Sequence, residues 1–402
     1  MRGKKHDRRE KVKPVERSDW ADLEIPLGKR TKKYRLLEIL PGAMSYTMII
    51  LLFALSIISP ALGSYYLLLI IAVTLVKAVG IVYRTIQGYN AAKRAEKVNW
   101  HERLVDLETP HERYEELLKH KCKEFAFNEH VENLKLLSVG KDLVLSESEV
   151  QVDEPISFPK PKEVYHAVIM VAYNEGLETL IPTVEAVRDG SFDNERIIFV
   201  FGYEERGGEA MAENAKVLKD KFKDDFFEFI TVMHPKDLKD EIQGKGPNLN
   251  FAAGELLEFV KKKKIPLKNI IVTSLDSDNK MSKWYLDYVA YQFIVHPNRQ
   301  HLSYQPVSLF TNNIWDAPAP MRVLATGNSF WTIIGSMRPH ALRNFAAHSQ
   351  PLSALVSMDF WSKRSIVEDG HQYWRSYFYY NGDYGVIPIH VPIYQDAVMA
   401  DT

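Results

Sequence analysis

Ile270-Ile271-Val272-Thr273-Ser274-Leu275-Asp276-Ser277-Asp278-Asn279 decides how the rest of the chain is read. An apolar, β-branched run that stops at two carboxylates predicts a buried strand delivering them to the carboxyl edge of a sheet. Open α/β sheets hold their ligands at that edge. Side chains alternate between the faces of a strand, but beyond its end the chain turns, so Asp276 and Asp278 can converge on one hard cation. An Asp-x-Asp pair alone is also an ordinary acidic corner between strand and loop. Its neighbours in the sequence separate the two readings.

Working outward, strand-like runs are predicted at 165–172, 196–201, 226–233 and 269–275, with helical stretches between them at 177–188, 209–222 and 248–262. Repeats of this length are what a right-handed βαβ crossover needs, so the expected fold is α/β with a mostly parallel sheet, occupying 164–402. Pro155, Pro159 and Pro161 mark a linker before it, and 134–152 alternates enough for short strands. Beyond Asp278 the spacing is irregular and aromatic-rich, as in a segment that shapes a cleft.

Three further motifs fall at the same predicted edge. The first strand runs into Tyr173-Asn174-Glu175 and the second into Tyr203-Glu204-Glu205. Asn174 and Glu175 suit a nucleotide's base and ribose, or equally a helix cap. Gly244-Lys245-Gly246-Pro247-Asn248-Leu249-Asn250 precedes a helix without the spacing of a Walker loop. Its glycines permit close backbone approach, and Lys245 is a mobile positive charge suited to phosphate. Finally, Ser365-Ile366-Val367-Glu368-Asp369-Gly370 offers an acid pair able to act as a general base or to cap a helix.

Taken in this order, the motifs resemble family-2 glycosyltransferases of the nucleotide-sugar-binding (GT-A type) α/β fold, especially membrane-embedded enzymes such as cellulose and hyaluronan synthases. The resemblance spans 164 to about 392. It implies that Asn174, Glu175, Glu204, Lys245, Asn250 and Asp276 contact a nucleotide-sugar donor, and that Asp276 and Asp278 hold Mg²⁺ or Mn²⁺ on its diphosphate. It further implies that Asp369, beside Glu368, is the catalytic base, with Val367 where the family has Thr. Glu204 stands where the family has an aspartate on the uracil side. The stretch 324–331 is similar to the family's acceptor-side loop. The implied reaction is inverting transfer, from a UDP-sugar foremost, to a hydroxyl of a glycan or lipid-linked acceptor in polysaccharide biosynthesis. The family's Gln-x-x-Arg-Trp motif and later membrane spans do not follow Asp369, so the sequence is expected to be truncated at its carboxyl end.

No charged residue lies between Glu38 and Lys77, and two apolar spans of about bilayer length fit there, near 42–59 and 61–83. Both flanks are rich in Lys and Arg while the turn carries no charge, which predicts a two-helix hairpin in the cell membrane with the rest of the chain cytosolic. The basic residues 1–36 read as a disordered tail and 87–163 as a juxtamembrane helical connector interrupted at Pro110. A net charge of −1 argues against nucleic acid as a partner, and the single cysteine, Cys122, excludes an internal disulfide. Trp315, Trp331, Trp361 and Trp374 are candidate faces for sugar rings, whereas His296, His301, His340 and His348 read as structural. Two rival readings are a membrane-anchored glycosyltransferase-like subunit without turnover and an Asp-nucleophile phosphohydrolase.

Overall fold

The uncharged interval forms two long helices, α1 (Lys32–Ile58) and α2 (Pro60–Ala95). Thr31 caps α1 by accepting the Tyr34 amide at 3.2 Å, and Pro60 starts α2 where no amide hydrogen is needed. Both helices are longer than the expected spans, and α1 takes in residues 32–36 of the expected tail. Gly63 lets the two approach at their junction, since a Cβ there would lie 2.3 Å from Ser56 Oγ. The Tyr66 hydroxyl donates to Met48 O at 3.2 Å, while Thr47, Ser56, Ser64 and Thr74 donate to carbonyls four residues back. Both helices are long and apolar enough to cross a membrane, and their apolar windows are unburied. Internal satisfaction of hydroxyls is what a hydrocarbon environment demands.

The chain, a computed structural model described at residues 23–24, 31–120, 122–139 and 158–399, divides into a unit of residues 25–90 and a unit of 1–24 with 91–402. Of the expected connector, 87–163, residues from 91 on belong to the second unit, and Trp100, Leu104, Leu107 and Leu134 enter its core. This stretch forms α3 (Trp100–Asp106), α4 (Pro110–Leu117) and α5 (Phe127–Ser138). Pro110 begins a helix there instead of breaking one. Trp100 is fully buried, stacked 3.5 Å from the Tyr288 ring, with Nε1 donating to Ala95 O at 2.9 Å. That packing, with His130 bonded to both Asp106 and Tyr291, ties this region to the domain. Leu134, expected in a strand, lies in α5, and the remainder of the 134–152 expectation falls largely outside the described residues.

The four expected strands are present as β1 (Tyr165–Ala172), β2 (Ile197–Glu204), β3 (Glu228–His234) and β4 (Ile270–Asp276). Between them run α6 (Leu177–Arg188), α7 (Gly208–Phe222) and α8 (Lys245–Lys263). Alternate residues of β1 feed opposite layers. Val168, Met170 and Ala172 enter one core cluster, and Ala167, Ile169 and Val171 the other. Burial on both faces is why these strands read as continuous apolar runs.

The later half is more regular than its sequence suggested. It contains β5 (Lys280–Met281), α9 (Tyr285–Val295), β6 (Leu302–Phe310), α10 (Ala319–Ser336), β7 (His348–Pro351), α11 (Leu352–Ser357), α12 (Glu368–Tyr379) and β8 (Gly385–Gln395). One sheet of eight strands results, in the order β3-β2-β1-β4-β7-β6-β8-β5. β3, β2, β1 and β4 are parallel, as are β6 and β8; β7 runs antiparallel to both its neighbours, and β5 to β8. The fold is therefore mixed α/β. After β1 the chain adds β2 and β3 on one side, then places β4 on the other, so a crevice opens outside the carboxyl ends of β1 and β4.

Candidate functional site

The tip of β4 turns on Asn279, which is fully buried. Its Oδ1 accepts the Asp276 amide at 3.1 Å, and its Nδ2 donates to Asp278 Oδ1 at 3.0 Å. Asp278 Oδ2 accepts the Asp396 amide at 3.0 Å from the end of β8. The two carboxylates are thereby brought to the same edge, as the sequence predicted. Asp278 has no cationic partner among the described residues. Burial, and next the charge of Asp276, push its pKa up to about 6.

Lys245, the first residue of α8, bridges the carboxylates of two distant segments. Its Nζ lies 2.7 Å from Asp276 Oδ1 and 3.3 Å from Glu368 Oε1. Burial works against that ammonium, yet Asp276 and Glu368, with Asp369 behind them, hold its pKa above the ordinary lysine value. The α8 start comes this close because Gly246 has no side chain: a Cβ there would sit 2.5 Å from Ser362 O. Glu368 is buried, which raises its pKa against the opposing pull of Lys245.

Asp369 is the second residue of α12, in a half-exposed position. Its Oδ1 accepts the Gly370 amide and its Oδ2 the Ala346 amide, each at 2.6 Å. The helix is anchored from the opposite end of the chain. Glu24 pairs with Arg375 of α12 and accepts the Ser362 hydroxyl at 2.9 Å. Ile366 and Val367, read as an apolar pair, are 82% and 67% exposed.

At the end of β1, Glu175 folds back so that Oε2 accepts the Tyr173 and Asn174 amides at 2.7 and 3.0 Å. The Ser277 hydroxyl donates to its Oε1 at 3.1 Å, joining the β1 and β4 tips. Asn174 itself is exposed and does not line the cleft; α6 is preceded by Gly176 instead, without a side-chain cap. Glu204 is held by Arg206, whose Nε is 2.6 Å from Oε2 and whose guanidinium lies 4.6 Å over the Tyr173 ring. These groups line a cleft of about 480 Å³ that includes Glu175, Glu204, Arg206, Lys245, Asp276 and Asp278. A second hollow of about 320 Å³ continues from Glu204 and Arg206 toward His234 and Glu241. A larger hollow, about 630 Å³ beside Arg94 and Phe127, contains none of these groups.

Several expected residues stand elsewhere. Asn250 is buried, and its Nδ2 donates to Asp359 O at 2.7 Å and Trp361 O at 2.8 Å, so it ties α8 to a turn and faces away from the cleft. The turn needs that tie because Asp359 and Phe360 adopt φ of 57° and 59°. Residues 324–331 are helical, part of α10, because Ala325, Ser329, Thr332 and Ile333 form a buried helical face. Trp361 is 1% exposed and belongs to the core, whereas Trp315, Trp331 and Trp374 are open to solvent. The sequence alone suggests no role for Asn279, Arg206 or Asp396; Asn279 and Arg206 follow acidic strand ends, which is the available signal, whereas Asp396 follows Gln395 at the end of β8.

No group of three or more His, Cys, Asp or Glu poised to hold a metal occurs among the described residues. The Asp276–Asp278 pair does fit a divalent cation that completes its shell with water and a bound phosphate, because Asp278 is a half-buried carboxylate beside a second one and has no cationic partner among the described residues.

No family model and no curated protein matches this chain in sequence. Among solved structures it is similar to the mannosyltransferase PcManGT from Pyrobaculum calidifontis in complex with GDP-Man and Mn²⁺, with 12% identity, a TM-score of 0.39, and coverage of 79% of this chain and 69% of that one. Similarity to S. aureus TarS 1–349 in complex with UDP-GlcNAc has a TM-score of 0.36 at 13% identity, over 59% of this chain and 60% of that one. For GalNAc-T7 with UDP, GalNAc and Mn²⁺ the TM-score is 0.35 at 9% identity, over 59% of this chain and 44% of that one.

Proposed function

We propose that this chain is a metal-dependent, inverting glycosyltransferase that moves a sugar from a nucleoside diphosphate sugar, UDP-sugar foremost, to a hydroxyl of a glycan or lipid-linked acceptor at the cytosolic face of a membrane. One observation carries the reading. Lys245 brings Asp276 of β4 and Glu368 of α12, 92 positions apart in sequence, to one edge of the sheet, with Asp369 the next residue. An acidic corner between strand and loop has no need of that convergence.

In this reading the donor's nucleotide lies along the β1 and β2 tips, near Glu175, Glu204 and Arg206. Its diphosphate lies between Lys245 and the β4 tip. A divalent cation held by Asp276 and Asp278, Mg²⁺ or Mn²⁺, would supply charge neutralisation to the leaving diphosphate. Lys245 adds a second positive charge there, and the start of α8 a favourable dipole. The acceptor oxygen bonds to the anomeric carbon as the bond to the diphosphate oxygen breaks. Asp369 takes the acceptor's proton, and the diphosphate departs with the bonding electrons. The amides of Ala346 and Gly370 hold the carboxylate for that transfer.

The membrane assignment is supported by α1 and α2 and by basic residues flanking both. The test is a panel of UDP- and GDP-sugars presented to the full chain in membranes, with release of nucleoside diphosphate measured. Metal-dependent release by the wild type, lost in Asp369→Asn, is the expected result. Release of phosphate from simple phosphoesters instead, or no release from any donor, would replace this reading with one of its rivals.

A further inference from the structure

We infer that the Ala346 peptide is an orienting clamp for the Asp369 carboxylate, and that His348 and Gln305 are positioning residues because they hold that peptide in place. The inference rests on the glycosyl-transfer reading above. It concerns how the base is aimed.

The Ala346 residue is engaged at both its amide and its carbonyl. Its N–H donates to Asp369 Oδ2 at 2.6 Å, and its carbonyl accepts from His348 Nδ1 at 3.1 Å. Ala346 has φ of 48°, a left-handed conformation that a residue with a Cβ adopts only when its surroundings impose it. The imposition is visible. Gln305 of β6, 3% exposed, accepts the Phe345 amide at 2.9 Å and donates to Phe345 O at 2.9 Å and Ala347 O at 3.2 Å. One carboxamide thus holds Phe345 O, which shares its peptide with the Ala346 N–H, while one imidazole holds Ala346 O of the next peptide.

His348 is an unusual choice for a merely packed position. It is 1% exposed, opposite Ser274 in the β4–β7 ladder, and its ring lies 6.4 Å from that of Trp361. Burial lowers its pKa to about 4, so the ring is neutral at ordinary pH and carries a single N–H. Donation to Ala346 O places that hydrogen on Nδ1 and leaves Nε2 as a buried acceptor without a partner among the described residues. An apolar side chain would fill this volume without the orphaned nitrogen, which is costly to bury. What the imidazole adds over an apolar residue is the hydrogen bonding of Nδ1, to Ala346 O at 3.1 Å and more distantly to Ser274 Oγ at 3.4 Å.

The distinction from simple packing lies in where on the side chain the donor sits. Asparagine carries an N–H near the position of imidazole Nδ1, whereas the glutamine amide reaches toward the place of Nε2. The full chain in membranes would be assayed with UDP-glucose, UDP-N-acetylglucosamine and GDP-mannose. Nucleoside diphosphate release, donor KM, Mn²⁺-dependent UDP affinity and melting temperature would be measured for each variant. His348→Leu and His348→Gln should lower kcat roughly 10- to 100-fold with KM and UDP affinity unchanged, while His348→Asn stays within about threefold of wild type. Gln305→Met should resemble His348→Leu and serves in its place if that variant does not fold. Equal kcat for the Asn and Gln variants, a loss confined to KM, or an undiminished His348→Leu would overturn the clamp while leaving the transfer reading standing. Persistent turnover by Asp369→Asn, or a wild type silent on all three donors, would instead remove the reading beneath it.

Discussion

The tip of β4 and the start of α12 both present two acids, yet they leave their charge in opposite states. At the β4 tip, Asp278 is half-buried, and that burial, with the charge of Asp276, pushes its pKa up to about 6, with no cation of the protein to meet it among the described residues. At α12, Asp369 accepts two backbone amides and Glu368 faces Lys245. A carboxylate satisfied by amides needs only a proton from elsewhere, whereas a crowded carboxylate with no neutralising cation, as Asp278 is among the described residues, invites a metal. On the proposed reading, the difference gives cation binding to the β4 tip within the cleft and proton acceptance to the start of α12, whose Glu368 and Asp369 are not among the cleft's lining residues. Lys245, touching both, is the seam between them.

The most severe way to probe that division is Asp369→Asn. The amide side chain is nearly isosteric but accepts no proton, so transfer should fall ~10²–10⁴-fold. Mn²⁺-dependent UDP binding, measured by calorimetry, should remain. Loss of binding together with turnover would mean that the two acid pairs do not have separate duties.

Lys245→Met attacks the seam. It leaves Glu368 buried without its cation and removes a positive charge from the proposed diphosphate position, while preserving the length of the stem. A fully buried pair broken in this way typically costs 3–5 kcal/mol, but Asp276 is 34% exposed, so a stability loss of about 2 kcal/mol is expected. Donor affinity should fall as well. A variant that binds UDP and melts like the wild type would show the bridge to be incidental.

The pH dependence of metal binding sharpens the contrast further. Because the Asp278 pKa is raised, its proton returns as pH drops through about 6, and a protonated carboxyl is a poor ligand. The rise in melting temperature produced by saturating MnCl₂ should therefore be present near pH 8 and shrink below about pH 6, with affinity falling up to roughly tenfold per unit. Asp278→Asn should abolish the dependence. A metal effect that persists undiminished at about pH 5 would separate the cation from Asp278.

What sequence revealed and what it concealed divide along the same line. β1 and α6 have the bounds expected for them, and the Asp276–Asp278 turn lies where its apolar run predicted, because strands buried on both faces carry an unbroken local signal. Lys245 was also legible, since glycines, a lysine and a following helix are adjacent in sequence. The clamp on Asp369 was not. Gln305, Ala346, His348 and Asp369 meet only when β6 and β7 are laid beside β4, and His348 looked like any core histidine. Trp100 illustrates the same limit: its charged surroundings suggested a connector, and only Tyr288 shows that it is core. Residues 324–331 read as a loop by likeness of letters, yet the spacing of Ala325, Ser329 and Thr332 holds a helix.

The smallest expected effect separates two residues of one motif. Lys245 and Asn250 lie five positions apart on α8, so they point to different sides of the helix, and only Lys245 reaches the cleft. Asn250 instead satisfies the carbonyls of Asp359 and Trp361 in a turn of left-handed residues. Asn250→Ala should thus cost about 1–2 kcal/mol of stability, seen as a lowered melting temperature, through two lost hydrogen bonds to buried carbonyls. Donor KM should not change beyond what the lowered folded fraction explains. A large rise in KM with normal melting would return Asn250 to the donor site that its sequence motif suggested, and would require α8 to be rotated from its observed setting when nucleotide is bound.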